Sequence, residues 1–306
     1  MNLSNISPSS KKKITLTAMS VLAVILALCL VIVAVAGIYD ALTGVGFSNG
    51  LAEDKLTDFV VTKENSLYGS LILVNNSHEY TFPEDDEHLI SMYSYKNNNG
   101  GSSYGLIDSS PLLHTDAIGY AHQMLNRMSK DLNTTDFVVS SAYRTYEHQE
   151  SLNNSISGSI PAGYSDHHTG YCLSIKRTET PLSPEDYEWL HENAQDYGYI
   201  IRYPEAKAHL TGVSEYTNCL RYVGTAHANI MKQENLCLEE YIEYLKENAS
   251  NDPIGVKCEN GEQYFVYYYA FEGKQINIKI PKDADKYPFD VSGTNDGGIV
   301  VTIKVK

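Results

Sequence analysis

The chain has 306 residues, 42% of them hydrophobic, and a net charge of -15. Beyond the first forty residues, that length suffices for one sizeable domain and a small appendage. The acidic balance, with no Lys/Arg cluster past the N-terminus, argues against nucleic acid as a partner and offers little attraction to anionic lipid.

Lys11, Lys12 and Lys13 precede an uncharged apolar run from Ile14 to Ile38. As a helix rising about 1.5 Å per residue, this run exceeds the roughly 20 residues that cross a bilayer. "AVAG" at residues 34–37 mimics a cleavage site, but the run is far longer than the roughly 7–15 residues of a signal-peptide core. Lysines before the run and Asp40 after it make residues 1–13 a cytosolic tail and 14–38 a single-pass membrane anchor. Everything later is expected on the extracytoplasmic side. Cys172, Cys219, Cys237 and Cys258 then meet an oxidising space that permits two disulfides, in any pairing.

Residues 39–66 carry Gly, Ser, Asn and acids with weak periodicity and read as a stalk. The core domain is expected over 67–250. Within it, "GSLILVN" at 69–75 reads as a first strand and "YKNNNGGSSYG" at 95–105 as an exposed loop. Ala117, Ala121, Met124, Leu125 and Met128 recur at helical spacing, which predicts a helix over 111–130 with its methionines in the core. "DFVVSSAYRTYEHQ" gives a short buried strand and a turn that displays Arg144. Ser183, Pro184 and Asp186 open a capped helix through Asp196, with Gly198 as its stop. "YIIRYP" is another strand. Helices follow at 225–235 and 238–247, the second with acids early and Lys246 late, as the helix dipole favours. Residues 251–306 alternate in "YFVYYYAF", "QINIKI" and "GIVVTIKV" and suggest a small β appendage.

Four segments occur in order: "SSAYRTYEHQ", "AGYSDHHTGYCLSI", "YGYIIRYP" and "CLRYVGTAHANIMKQENLCLEEYIEYL". On these the chain from about residue 69 onward resembles the VanY-type zinc D-alanyl-D-alanine carboxypeptidases, metallopeptidases that trim peptidoglycan stem peptides. The resemblance implies an α+β fold, with helices packed on a central antiparallel sheet and an open cleft.

It also implies a zinc ion with three protein ligands, a fourth place for water, and a carboxylate to take that water's proton. The family draws its ligands from the His of Ser-x-His-x-x-Gly, an Asp seven residues later, and the His of Glu-Pro-Trp-His before Arg-Tyr-Val-Gly. The Glu of that last motif is the base, and an Arg in a Ser-Gly-Tyr-Arg turn binds substrate and steadies developing charge. Here His167 matches the first ligand and Arg144 the arginine. Ser174 stands at the Asp position, Cys219 at the second His, and Tyr216 at the base, with Thr217 and Asn218 replacing Pro and Trp. Glu215 precedes the base position by one residue, and on an extended segment such a slip turns a side chain to the opposite face. A Cys219 thiolate beside His167, joined by His168 or Asp166, would bind metal but leave it without a base.

Cys172 lies two residues before Ser174 and so shares its face on a strand. A Cys172–Cys219 disulfide is therefore expected in place of the metal cross-link, with Cys237–Cys258 tying the last helices to the β tail. Free core thiols are the alternative. His148, His191, His209 and His227 read as surface or core-edge residues. Arg144, with Tyr143 and Ser141, is the candidate for pairing with a peptide carboxylate; a structural salt bridge is the competing role. The leading expectation is a membrane-anchored pseudoenzyme without a cofactor, binding stem peptides that end in D-Ala or acting as a surface module. Its competitor is an active zinc carboxypeptidase built on His167, Cys219 and Glu215. The oligomeric state is open.

Overall fold

The computed structural model describes residues 50–84, 87–100, 103–156, 158–214, 217–250 and 252–306. The expected anchor at 14–38, and both Glu215 and Tyr216, lie outside the described residues. Among the described residues, no helix is long and apolar enough to cross a membrane.

In chain order the elements are β1 (Leu56–Thr62), β2 (Leu89–Ser91), α1 (Met92–Asn98), β3 (Gly105–Leu106), β4 (Leu112–His114), α2 (Thr115–Asp131), β5 (Phe137–Ser141) and α3 (Tyr146–Ser155). Then come β6 (Cys172–Arg177), α4 (Pro184–Asn193), β7 (Tyr199–Ile201), α5 (Ala208–Thr211), β8 (Cys219–Tyr222), α6 (Thr225–Gln233) and α7 (Leu238–Asn248). The tail supplies β9 (Ile254–Lys257), β10 (Gln263–Ala270), β11 (Gln275–Pro281), β12 (Phe289–Gly293) and β13 (Gly298–Lys304). A central sheet runs β3-β5-β6-β8-β7, antiparallel except for β3 beside β5, and a second sheet runs β12-β13-β10-β9. The α+β class expected from the sequence is what forms.

Helix α2 buries Ala117, Ala121, Met124, Leu125 and Met128 in one cluster with Phe137, Val139, Leu173, Ile175 and Leu220 of the sheet. Strand β6 is buried on both faces: Leu173 and Ile175 enter that cluster, while Cys172 joins Cys219 and Tyr203 in a separate one. The period of two along a strand makes this division.

Four expectations need correction. Residues 69–75 form no strand, and the segment opens with a turn at Ser70 and Leu71. Leu71, Ile72, Leu73 and Val74 are buried in a strap whose carbonyls are taken by guanidinium groups rather than by a neighbouring strand. Arg221 Nη2 donates to Ser70 O (2.9 Å) and Ile72 O (3.1 Å), and Arg202 Nη2 donates to Val74 O (3.2 Å). On its other edge, Leu71 N–H donates to Ser292 Oγ (2.8 Å) and Leu73 N–H to Thr294 O (2.9 Å). A strap whose backbone groups find such partners needs no ladder.

The stalk reading fails at residues 56–62, which pair as β1 with β11 from Leu56↔Pro281 to Thr62↔Gln275. Leu56 and Val61 bury against Ile278, Ile299, Val301 and Ile303, and that apolar face outweighs the polar flanks. Residues 95–98 close helix α1 rather than lying in a loop, and Lys96 Nζ donates to Tyr104 O at 2.7 Å. The boundary expected at 250/251 is bridged as well: buried His227 of α6 sits between the Tyr241 hydroxyl of α7 (2.6 Å) and the Thr302 hydroxyl of β13 (2.8 Å).

Candidate functional site

The site is a row across the central sheet. Ser141 on β5 lies opposite Ser174 on β6, and Ser174 lies opposite Cys219 on β8. Directly opposed residues of antiparallel strands present side chains on one face, so these three are neighbours. Cys172 pairs with Arg221, which makes Cys172 and Cys219 a diagonal couple. They are disulfide-bonded, with Cα atoms 6.7 Å apart and a sequence separation of 47. Cys237 and Cys258 are free, buried thiols, which overturns their expected pairing. The Cys237 side chain caps α7, accepting from the Glu240 N–H while the Glu240 carboxylate accepts from the Cys237 N–H (2.9 Å). Burial pushes these thiols up to about 11 and about 12, so both stay protonated at neutral pH.

His167 comes to this row from a short turn, Asp166–Thr169, that ends at Gly170 with φ 73°. Glycine adopts this left-handed conformation freely, and a Cβ there would stand 2.6 Å from Leu89 Cδ2, which would have to move. His167 Nδ1–H donates to Ala142 O (2.7 Å), leaving Nε2 to accept from Ser174 Oγ (3.1 Å), with Cys219 Sγ 3.9 Å away. Burial, and then the Arg144 charge, hold the imidazole well below the usual histidine range, so it is neutral.

Neither neighbour proposed as an extra ligand is available. His168 accepts from Gly163 N–H at Nε2 (3.0 Å) and donates from Nδ1 to Arg144 O (2.7 Å). Asp166, fully buried, is shared between Arg202 Nε and Arg221 Nη1. Glu239 takes the remaining edge of Arg202 at 2.8 and 3.0 Å. This network fixes the turn that carries His167. Sequence reasoning missed it, although an arginine inside each apolar stretch, "YIIRYP" and "CLRYVG", signals a buried acidic partner.

Arg144 N–H donates to His167 O (3.1 Å), locking the two turns together. Its guanidinium donates from Nε to Ser141 Oγ (2.9 Å) and from Nη1 to Gln149 Oε1 (3.0 Å). Arg144, Gln149, Leu152, His167, Tyr203 and Cys219 are among the residues lining a cavity of about 120 Å3. Ser141 touches it through Arg144, and Tyr143 is not among its lining residues. His148, His191 and His209 are exposed, whereas His227 is buried deeper than expected, as the bridge already described.

The VanY family profile, described as D-alanyl-D-alanine carboxypeptidase, matches residues 110–225. A D-alanyl-D-alanine carboxypeptidase of Enterococcus faecium is 31% identical over 269 residues, covering 87% of this chain and 85% of that protein. Another, from Enterococcus faecalis, is 33% identical over 125 residues, covering 34% of this chain and 47% of that one. The solved vancomycin-resistance D,D-dipeptidase VanXYg, in complex with a D-Ala-D-Ala phosphinate analog, superposes with a TM-score of 0.69 at 22% identity. That match covers 81% of this chain and 99% of the other and bears on the fold. Identity sustained over most of two whole chains places the protein in the VanY family of D-alanyl-D-alanine carboxypeptidases.

Proposed function

We propose that the chain is a membrane-anchored, non-hydrolytic member of its family that holds the D-Ala end of a peptidoglycan stem peptide. The observation that carries this reading is the Cys172–Cys219 disulfide on the face from which the family draws its metal donors. With the sulfurs joined and the Ser174 hydroxyl turned toward His167, Nε2 is left as a single nitrogen donor. A catalytic zinc takes three protein donors and an open fourth place, so the residues in this state do not fit one.

Recognition needs none. Arg144 is oriented by Ser141 and Gln149 at the wall of the cavity, and a carboxylate there gains charge-assisted hydrogen bonds from its guanidinium. The cavity's volume of about 120 Å3 is below the roughly 300–1,000 Å3 that encloses a drug-sized ligand, so it suits a chain terminus rather than a whole peptide. The family activity supplies the class: a peptide ending in D-Ala with a free carboxylate. The lysines before the apolar run at 14–38, and a disulfide in the site, support a position outside the cytosol.

The test is to incubate the full chain with a D-Ala-D-Ala pentapeptide, with and without zinc, measuring free D-alanine and, by calorimetry, binding. Binding without D-alanine release is expected, weakened about tenfold or more by Arg144→Ala, since hydrogen bonds to charged groups contribute about 1.5–3 kcal/mol. Zinc-dependent release that vanishes in His167→Ala would favour the catalytic reading with His167, Cys219 and Glu215.

A further inference from the structure

The same two cysteines offer a different chemistry once they are parted. We propose that, on reduction of the Cys172–Cys219 bond, His167, Cys172 and Cys219 become a three-donor site for a tetrahedral cation of the zinc type. Cys172 has no counterpart among the family's ligand positions, so this is a new donor set rather than the ancestral one. The inference goes beyond the proposed function, which concerns the oxidised protein.

The geometry is close to what such a cation requires. The donor atoms of the three residues all lie within 4.8 Å of one another, and all three residues are buried. Zinc bonds of about 2.3 Å to sulfur and about 2.0–2.1 Å to nitrogen, at tetrahedral angles, put nitrogen and sulfur about 3.6 Å apart and two sulfurs about 3.8 Å apart. Cys219 Sγ already stands 3.9 Å from His167 Nε2. Rotation of the cysteine side chains supplies the rest.

His167 is prepared for the role. Its Nδ1–H is held by Ala142 O at 2.7 Å, the outer hydrogen bond that orients metal-ligating histidines and leaves Nε2 bare. The turn beneath it is fixed by Asp166 between Arg202 and Arg221, so the nitrogen does not depend on a mobile segment. Charge favours the same outcome: two thiolates, a neutral imidazole and a divalent cation sum to zero, whereas two buried thiolates alone would be costly. The fourth place falls to water or to the Ser174 hydroxyl, 3.1 Å from Nε2.

The step balances with a phosphine as reductant. Phosphorus attacks one sulfur and expels the other as thiolate; water then delivers its oxygen to phosphorus, and its two protons end on the two sulfurs. Phosphorus loses two electrons and the disulfide gains them. Cation binding afterwards releases those protons to solvent.

The experiment uses the full chain in detergent, in a Cys29→Ser background, reduced with a water-soluble phosphine and titrated anaerobically with cobalt(II). One equivalent should bind to the reduced chain, with a near-ultraviolet sulfur-to-cobalt band and visible tetrahedral bands, and zinc should displace it. The oxidised chain should show no band. Cys172→Ser, Cys219→Ser and His167→Ala should each weaken binding at least tenfold, while Cys237→Ser and Cys258→Ser leave it unchanged. Absence of the band in the reduced chain, its survival in Cys172→Ser, or equal binding by the oxidised chain each overturns the site. Circular dichroism covers the case in which reduction unfolds the protein: zinc must then restore the folded signal, and failure to do so also overturns it. D-alanine release by the reduced, zinc-loaded chain would revise the proposed function and leave the cation site standing.

Discussion

Asp166 has no contact with solvent, and two equally buried arginines depend on it. Replacing it with asparagine leaves Arg202 and Arg221 with Glu239 as their remaining carboxylate in the network. Stranding a buried charge in this way costs about 3–5 kcal/mol. Asp166→Asn should therefore lower the urea midpoint sharply, followed through the fluorescence of Trp189, the single tryptophan. Cys172→Ala removes a cross-link spanning 47 residues, which chain entropy values at about 4 kcal/mol. The same denaturation series should show that loss, and reduction of the wild type without added metal should reproduce it. At this scale the sequence was partly legible. The shared face of Cys172 and Ser174 followed from the two-residue period of a strand, and the motif positions brought Cys219 alongside. Asp166 was unreadable as a partner of arginines 36 and 55 residues away, because nothing local announces a contact made by tertiary folding.

Among the elements, those with a strong apolar period were legible: α2, β10, β11 and β13 lie close to where alternation or helical spacing placed them. Helix α3 was not, because "YEHQESLNNS" has no apolar stripe and buries only Gln149; Thr145 starts it by accepting from His148 N–H at 3.2 Å. Residues 69–75 show the opposite failure. Their apolar run matched a strand, but the partners for its backbone are side chains and the end of β12. Just ahead of the strap β12 packs tightly at Gly293, where a Cβ would stand 2.3 Å from the Ser66 carbonyl carbon and oxygen. Gly293→Ala must push β12 away from backbone, and overpacking of this kind costs about 1–3 kcal/mol. Hydrogen exchange should show Leu71 and Leu73 amides losing protection in that variant; unchanged protection would mean the strap is not held by β12.

For the molecule as a whole, acid sensitivity is set by histidines buried in neutral form. Burial lowers the proton affinity of His167, His168 and His227, the last to about 3, against about 6.5 in an unfolded chain. Since the folded value is the lower one, the unfolded chain binds more protons below about pH 6.5, and stability falls as the pH drops. The slope is up to about 1.4 kcal/mol per pH unit for each such group. Melting temperature should thus decline between pH 6.5 and 4.5, before ion-paired carboxylates such as Asp186 and Glu239 begin to protonate. His227→Gln should flatten that decline, and an unaltered slope would assign it to other groups.

The strap at residues 70–74 is gripped from one side by Arg202 and Arg221 and from the other by Ser292, Thr294 and Asn295, whose amide donates to Leu73 O at 2.9 Å. Those last three residues follow every residue of the site in chain order. Through Arg202 and Arg221, which also hold Asp166, the turn that carries His167 is tied by way of the strap to the β12 segment. A ribosome-bound or prematurely terminated product lacking residue 292 onward would carry every residue of the site and still leave its arginines without their full set of carbonyl partners.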